Sequence, residues 1–114
     1  MLLLSSFLSG CVTTSSDLYY WGGYQAMLDK YYREPGNMPP EVQARRLEAI
    51  IDDAQRNPAP VAPGIYAHLG VAYADLGRQA DAEAAFAREA ELYPESTIWL
   101  EGMIARARRT GAEQ

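Results

Sequence analysis

The chain has 114 residues, enough for one small domain. Its 48% hydrophobic content suffices for a single core, and a formal charge of −5 argues against nucleic acid, whose binders carry a basic footprint. One cysteine, Cys11, excludes an internal disulfide, and together with the single histidine, His68, it leaves too few ligands for a His/Cys metal site.

Met1 to Gly10 is apolar and uncharged, too short to span a bilayer and placed where a signal peptide's apolar region sits. Leu8-Ser9-Gly10-Cys11 is similar to a bacterial lipobox. Small residues before the cut suit a lipoprotein signal peptidase, and the Cys11 thiol accepts diacylglycerol. Two or three acyl chains then anchor the chain stably, at about 0.8 kcal/mol per buried methylene. No lysine or arginine precedes Cys11, so residues 1–10 read as a truncated signal peptide whose true start lies upstream. The mature chain is expected to begin at Cys11, with residues 11–17 as a lipidated tether. Val12 stands where an inner-membrane retention aspartate would sit, which favours the outer membrane.

The remainder predicts helices only, in an all-α domain over residues 18–110. The first covers about 18–33, with Tyr20, Tyr24, Met27, Leu28 and Tyr31 on one face, and Pro35-Gly36-Asn37 ends it. Pro39-Pro40-Glu41 opens the second, over 40–56, with Ala44, Leu47, Ile50, Ile51 and Ala54 as its buried stripe. Asn57 to Gly64 holds three prolines and reads as a stiff loop. The third helix carries Tyr66, Leu69, Tyr73 and Leu76 and stops at Gly77. The fourth runs from about Gln79 to Tyr93, where Pro94 stops it. The fifth, from about Ser96 to Arg109, carries Ile98, Leu100, Met103, Ile104 and Ala107, with Arg106, Arg108 and Arg109 suited to its negative end. Residues 111–114 are expected to form a frayed tail.

Tyr66, Leu69, Gly70, Tyr73, Gly77, Ala82, Phe86, Leu92 and Pro94 follow the tetratricopeptide spacing. Gly70 and Ala82 are small where two helices must approach, and Tyr66, Tyr73 and Phe86 fill the space between them. Glu89 departs from the pattern, which has a small residue there. It requires either room from a neighbour or a basic partner. One repeat cannot bury both faces, so the flanking helices must act as neighbours. The expected architecture is five helices in a right-handed stack of helical hairpins.

Leu18-Tyr19-Tyr20-Trp21-Gly22-Gly23-Tyr24, Pro63-Gly64-Ile65-Tyr66-Ala67 and Phe86 to Ser96, with the lipobox, resemble the DUF4810 lipoproteins. Gly23 departs from that family, which more often has a bulkier residue there. The resemblance implies an outer-membrane-associated lipoprotein facing the periplasm. It also implies envelope partners, among them a curli-secretion-type lipoprotein and a second small lipoprotein. No activity or cofactor comes with it.

The residues themselves offer little catalytic chemistry. No Gly-x-Ser-x-Gly elbow is present, and His68 falls off the apolar stripe, as a solvated helix residue would. Asp52-Asp53 and Glu89-Glu91 read as solvated acids, since helix neighbours point apart. Gly22-Gly23 lacks the strand and helix of a phosphate loop. Four aromatics between Tyr19 and Tyr24 cannot share one helix face, so Tyr20 and Trp21, with Glu89 and Trp99, are the candidate partner surface. The expectation is a non-enzymatic, lipid-anchored adaptor of an envelope complex. The alternative is a module binding a peptidoglycan or lipid fragment.

Overall fold

The computed structural model describes residues 17–113. Within them lie five α-helices and no strands: α1 (Tyr24–Arg33), α2 (Pro40–Ala54), α3 (Ile65–Asp75), α4 (Gln79–Leu92) and α5 (Thr97–Ala112). Short 3-10 turns at Pro35–Asn37 and Pro94–Ser96 join α1 to α2 and α4 to α5. The lipobox Leu8, Ser9, Gly10 and Cys11 lies outside the described residues.

Proline sets α2 cleanly. Pro39 is extended at the N-cap, Pro40 takes the first helical position where no N–H is needed, and Glu41 suits the positive end. Ala44, Leu47, Ile50 and Ala54 are buried, while Ile51 is half-buried. Glycine sets the α3–α4 hairpin. Gly77 turns the chain at φ +73, and a Cβ on Gly70 would meet the Phe86 ring at 2.5 Å. No side chain fits between those helices.

α3 is the centre. It buries Ile65, Ala67, Leu69, Gly70, Ala72 and Ala74, so it is apolar all round rather than on one stripe. On one side Ile65, Leu69 and Ala72 join Met27, Met38, Leu47 and Ile50 from the α1–α2 half. On the other, Ala67 and Ala74 join Phe86, Leu100 and Ala107. α5 lies against both α3 and α4 and covers this second cluster. It runs antiparallel to α4: Arg108 pairs with Glu83 at 3.3 Å, and Gln79 at the start of α4 abuts Gly111 near the end of α5.

Three boundaries differ from expectation. The first helix begins at Tyr24, not at 18, because Tyr20 is drawn into an isolated parallel bridge with Val61. The Tyr20 N–H donates to the Pro60 carbonyl at 2.7 Å, and the Ala62 N–H donates to the Tyr20 carbonyl at 3.0 Å. The proline-rich loop cannot pair these groups within itself, and buried backbone polar groups need partners. α2 ends at Ala54 rather than 56. α5 continues to Ala112, so Gly111 and Ala112 of the expected frayed tail are helical.

Candidate functional site

Contacts from several elements gather the chain's informative residues around the start of α3. There the lead Asp17–Gly23, the starts of α1 and α2, the loop Asn57–Gly64 and the end of α4 meet, and α5 starts just beyond. Tyr19 packs edge-on against Tyr93 with ring centres 5.8 Å apart, and the Tyr93 hydroxyl donates to the Val61 carbonyl. Val61 and Ala62 are buried, so the loop is part of the core.

Glu89 is wholly buried at this end. Its place follows from a missing cap. α3 starts at Gly64, left-handed at φ +93, which has no side chain to receive the free N–H groups of the first turn. Glu89 reaches over from α4, and its Oε1 accepts the Gly64 N–H at 2.7 Å. The positive end of α3 also favours a carboxylate there. Oε2 has no hydrogen-bond partner among the described residues. Burial pushes the Glu89 carboxyl above its usual range, and the backbone N–H groups of Gly64, Ala67 and Tyr66 pull it back in part. Two expectations are therefore corrected. Glu89 does not belong to an exposed partner surface or a solvated acid pair, and what it meets is a helix terminus rather than a basic side chain.

His68 is corrected too. It is half-buried, and both ring nitrogens are occupied. The Gln43 side-chain N–H donates to the Met38 carbonyl at 2.7 Å, which turns the Gln43 Oε1 toward His68. His68 Nε2–H donates to that oxygen at 2.9 Å, leaving Nδ1 to accept the Tyr24 hydroxyl at 3.1 Å. The tautomer follows from this network. The ring also lies edge-on to Tyr24 and Tyr31. Burial lowers the His68 pKa and raises that of Tyr24, so the neutral forms are favoured. The chain Met38–Gln43–His68–Tyr24 ties α1 to α2 and α3.

The other candidates divide between core and surface. Leu69, Gly70, Ala82 and Phe86 are buried, Tyr66 and Tyr73 half-buried, and Pro94 exposed. The Tyr73 hydroxyl donates to Glu48, and Arg78 lies 4.2 Å above its ring. Burial, then the Glu48 contact, pushes Tyr73 up to about 12. Tyr20 is half-buried. Trp21 stacks on Tyr24 with ring centres 6.2 Å apart and stays 38% exposed. Trp99 is 45% exposed, and Ile98, expected on the apolar face of α5, is 86% exposed.

An open recess of about 780 Å³ is lined by Asp17–Gly22 and Asn57–Pro60. No group of three or more His, Cys, Asp or Glu that could hold a metal occurs among the described residues. No helix among them is long and apolar enough to cross a membrane.

No curated protein and no solved structure matches the chain. One family does, the domain of unknown function DUF4810, over residues 18–103. That stretch runs from the aromatic lead through every helix into α5, and on it the chain belongs to the DUF4810 family.

Proposed function

We propose that this protein is a lipid-anchored envelope lipoprotein acting as a non-enzymatic adaptor, with a tetratricopeptide-like stack of helices as its binding body. One observation carries the reading: its two most distinctive polar side chains are committed to holding helices together. Glu89 is spent on the N-terminus of α3, and His68 on Gln43 and Tyr24. A general acid or base needs a free atom facing substrate. The anchoring half rests on Leu8-Ser9-Gly10-Cys11 and the apolar run before it. The site of action is then the outer membrane, facing the periplasm. The partners are envelope proteins, with a curli-secretion-type lipoprotein and a second small lipoprotein as first candidates.

Globomycin treatment tests the anchor: the precursor accumulates if a lipoprotein signal peptidase matures it, and normal processing refutes the lipobox. Affinity purification from membranes tests the adaptor. Envelope proteins that co-purify with it and are absent from the eluate of an unrelated lipoprotein support it. Recovery of the protein alone refutes it.

The 780 Å³ recess favours a second reading, a module for a small envelope ligand such as a peptidoglycan or lipid fragment, since ligand pockets fall in this size range. Calorimetric titration with muropeptides separates the two.

A further inference from the structure

Five large apolar side chains are well exposed among the described residues: Leu18, Trp21, Tyr32, Ile98 and Trp99. They are not scattered. Tyr32 lies near the end of α1, beside Tyr31, whose ring is 6.5 Å from His68. The other four lie at the end where the chain arrives from Cys11. Leu18 and Trp21 belong to the lead itself. Ile98 and Trp99 open α5, just past Tyr93, whose ring Tyr19 touches. Leu18 and Ile98 are at least 80% exposed, and nothing among the described residues covers them.

The covalent chain limits what can meet this patch. From Cys11 to Leu18 is seven chain steps, which span at most about 25 Å fully extended. An anchor in Cys11 would keep this end of the domain within that reach of the bilayer. Charge at this end points to an apolar contact rather than an ionic one. Two cations here are paired, Arg56 with Asp52 at 3.0 Å and Asp53 at 3.1 Å, and Arg88 with Glu91 at 2.8 Å. Asp17 and Glu95 add negative charge nearby. Tryptophan and leucine suit the interfacial layer of a membrane, where an indole buries its ring and keeps its N–H wet.

We propose that Leu18, Trp21, Ile98 and Trp99 form a membrane-contacting face that seats the domain, tether end down, on the lipid that holds it. This inference rests on the lipid-anchor reading and adds an orientation to it. Adaptor partners then meet the helix flanks and the α3–α4 turn.

The chain's only tryptophans are the two in this face, so intrinsic fluorescence reads it directly. The full chain is coupled through its single thiol, Cys11, to maleimide-bearing vesicles of phosphatidylethanolamine and phosphatidylglycerol. Vesicles with and without brominated acyl chains are compared, using W21F and W99F to read each ring alone. Both rings should shift to shorter wavelength and be quenched by bromine, and high salt should leave the quench intact. Leu18→Asp with Ile98→Asp should lose the quench while the helical melt stays in place. Emission blind to bromine overturns the proposal, as does a quench that survives the double substitution or vanishes with salt. Because coupling supplies the tether chemically, these results stand apart from the anchor reading. The mass of the Cys11 N-terminus in protein recovered from membranes tests that reading separately.

Discussion

Gly70→Ala isolates the closest approach in the fold. The new Cβ would lie 2.5, 2.7 and 2.8 Å from Cε1, Cδ1 and Cζ of Phe86. Carbon–carbon contacts are comfortable at about 3.5–4 Å, so the ring must retreat by roughly 1 Å. It has nowhere to go: Phe86 is 1% exposed and enclosed by Ala67, Ala74, Ala82, Leu100 and Ala107. Overpacking of this kind costs about 1–3 kcal/mol. Replacing a mid-helix glycine by alanine returns about 0.5–1 kcal/mol of backbone entropy. The net loss centres on about 1 kcal/mol, a fall in Tm of roughly 4–8 °C for a domain this size. Gly102→Ala supplies the control, since Gly102 is also helical but has nothing within 4 Å of its Cβ position. It should gain about 0.5–1 kcal/mol. Thermal and urea melts followed by circular dichroism read both. If Gly70→Ala melts at or above the parent, the α3–α4 contact does not exist as described. If the two substitutions behave alike, steric closeness is not what sets the difference.

Glu89→Gln keeps the acceptor for the Gly64 N–H and removes a buried charge, so at pH 7 it should match or exceed the parent in urea midpoint. Glu89→Ala strands that N–H and opens a cavity, at about 2–4 kcal/mol. A Gln variant as damaging as Ala would refute the capping role. The pH dependence has two opposed parts. His68 has a lowered folded pKa, so its share of stability is full above its ordinary value and falls away as pH drops below about 6.5. Glu89 has a raised folded pKa, so its share grows as pH falls through that raised value toward the ordinary carboxylate range. His68→Gln should therefore flatten the loss below about pH 6.5 in melts across pH, and Glu89→Gln should deepen it. Tyr93→Phe removes the donor to the Val61 carbonyl and should cost about 1 kcal/mol by chemical melt, with the ring contact to Tyr19 kept.

The helices were legible because punctuation marks them. Pro35, the prolines of Asn57–Gly64, Gly77 and Pro94 stand at the breaks, and the stripe of α2 came out nearly residue for residue. What misled was pattern without partner. Tyr20 lies one helical turn before Tyr24 and so extends the α1 stripe on paper, yet the unpaired backbone of a distant proline loop claims it. A helical wheel for α3 places His68 outward, and only α1 folding across it makes that position half-buried. Glu89 was noticed as an exception to the repeat, but its partner is a backbone terminus, which no side-chain letter announces. A signal was there: Pro63-Gly64 opens a helix with no Ser, Thr, Asp or Asn to cap it, so the cap had to come from elsewhere. Ile98 shows the same limit in reverse, an apolar letter counted into the core that no neighbour covers.

The seam joining the lead to Val61 and Tyr93 also fixes an order of events. Tyr19 and Tyr20 leave the ribosome before any other described aromatic, yet the groups that hold them arrive much later in the chain. Local hairpins such as α3–α4 can close early, whereas this seam must wait for distant segments to meet. The first part of the domain to be made is thus the last to settle. A nascent chain stalled before Tyr93 would have helices but an unlatched front, open to proteases and chaperones at the residues nearest Cys11.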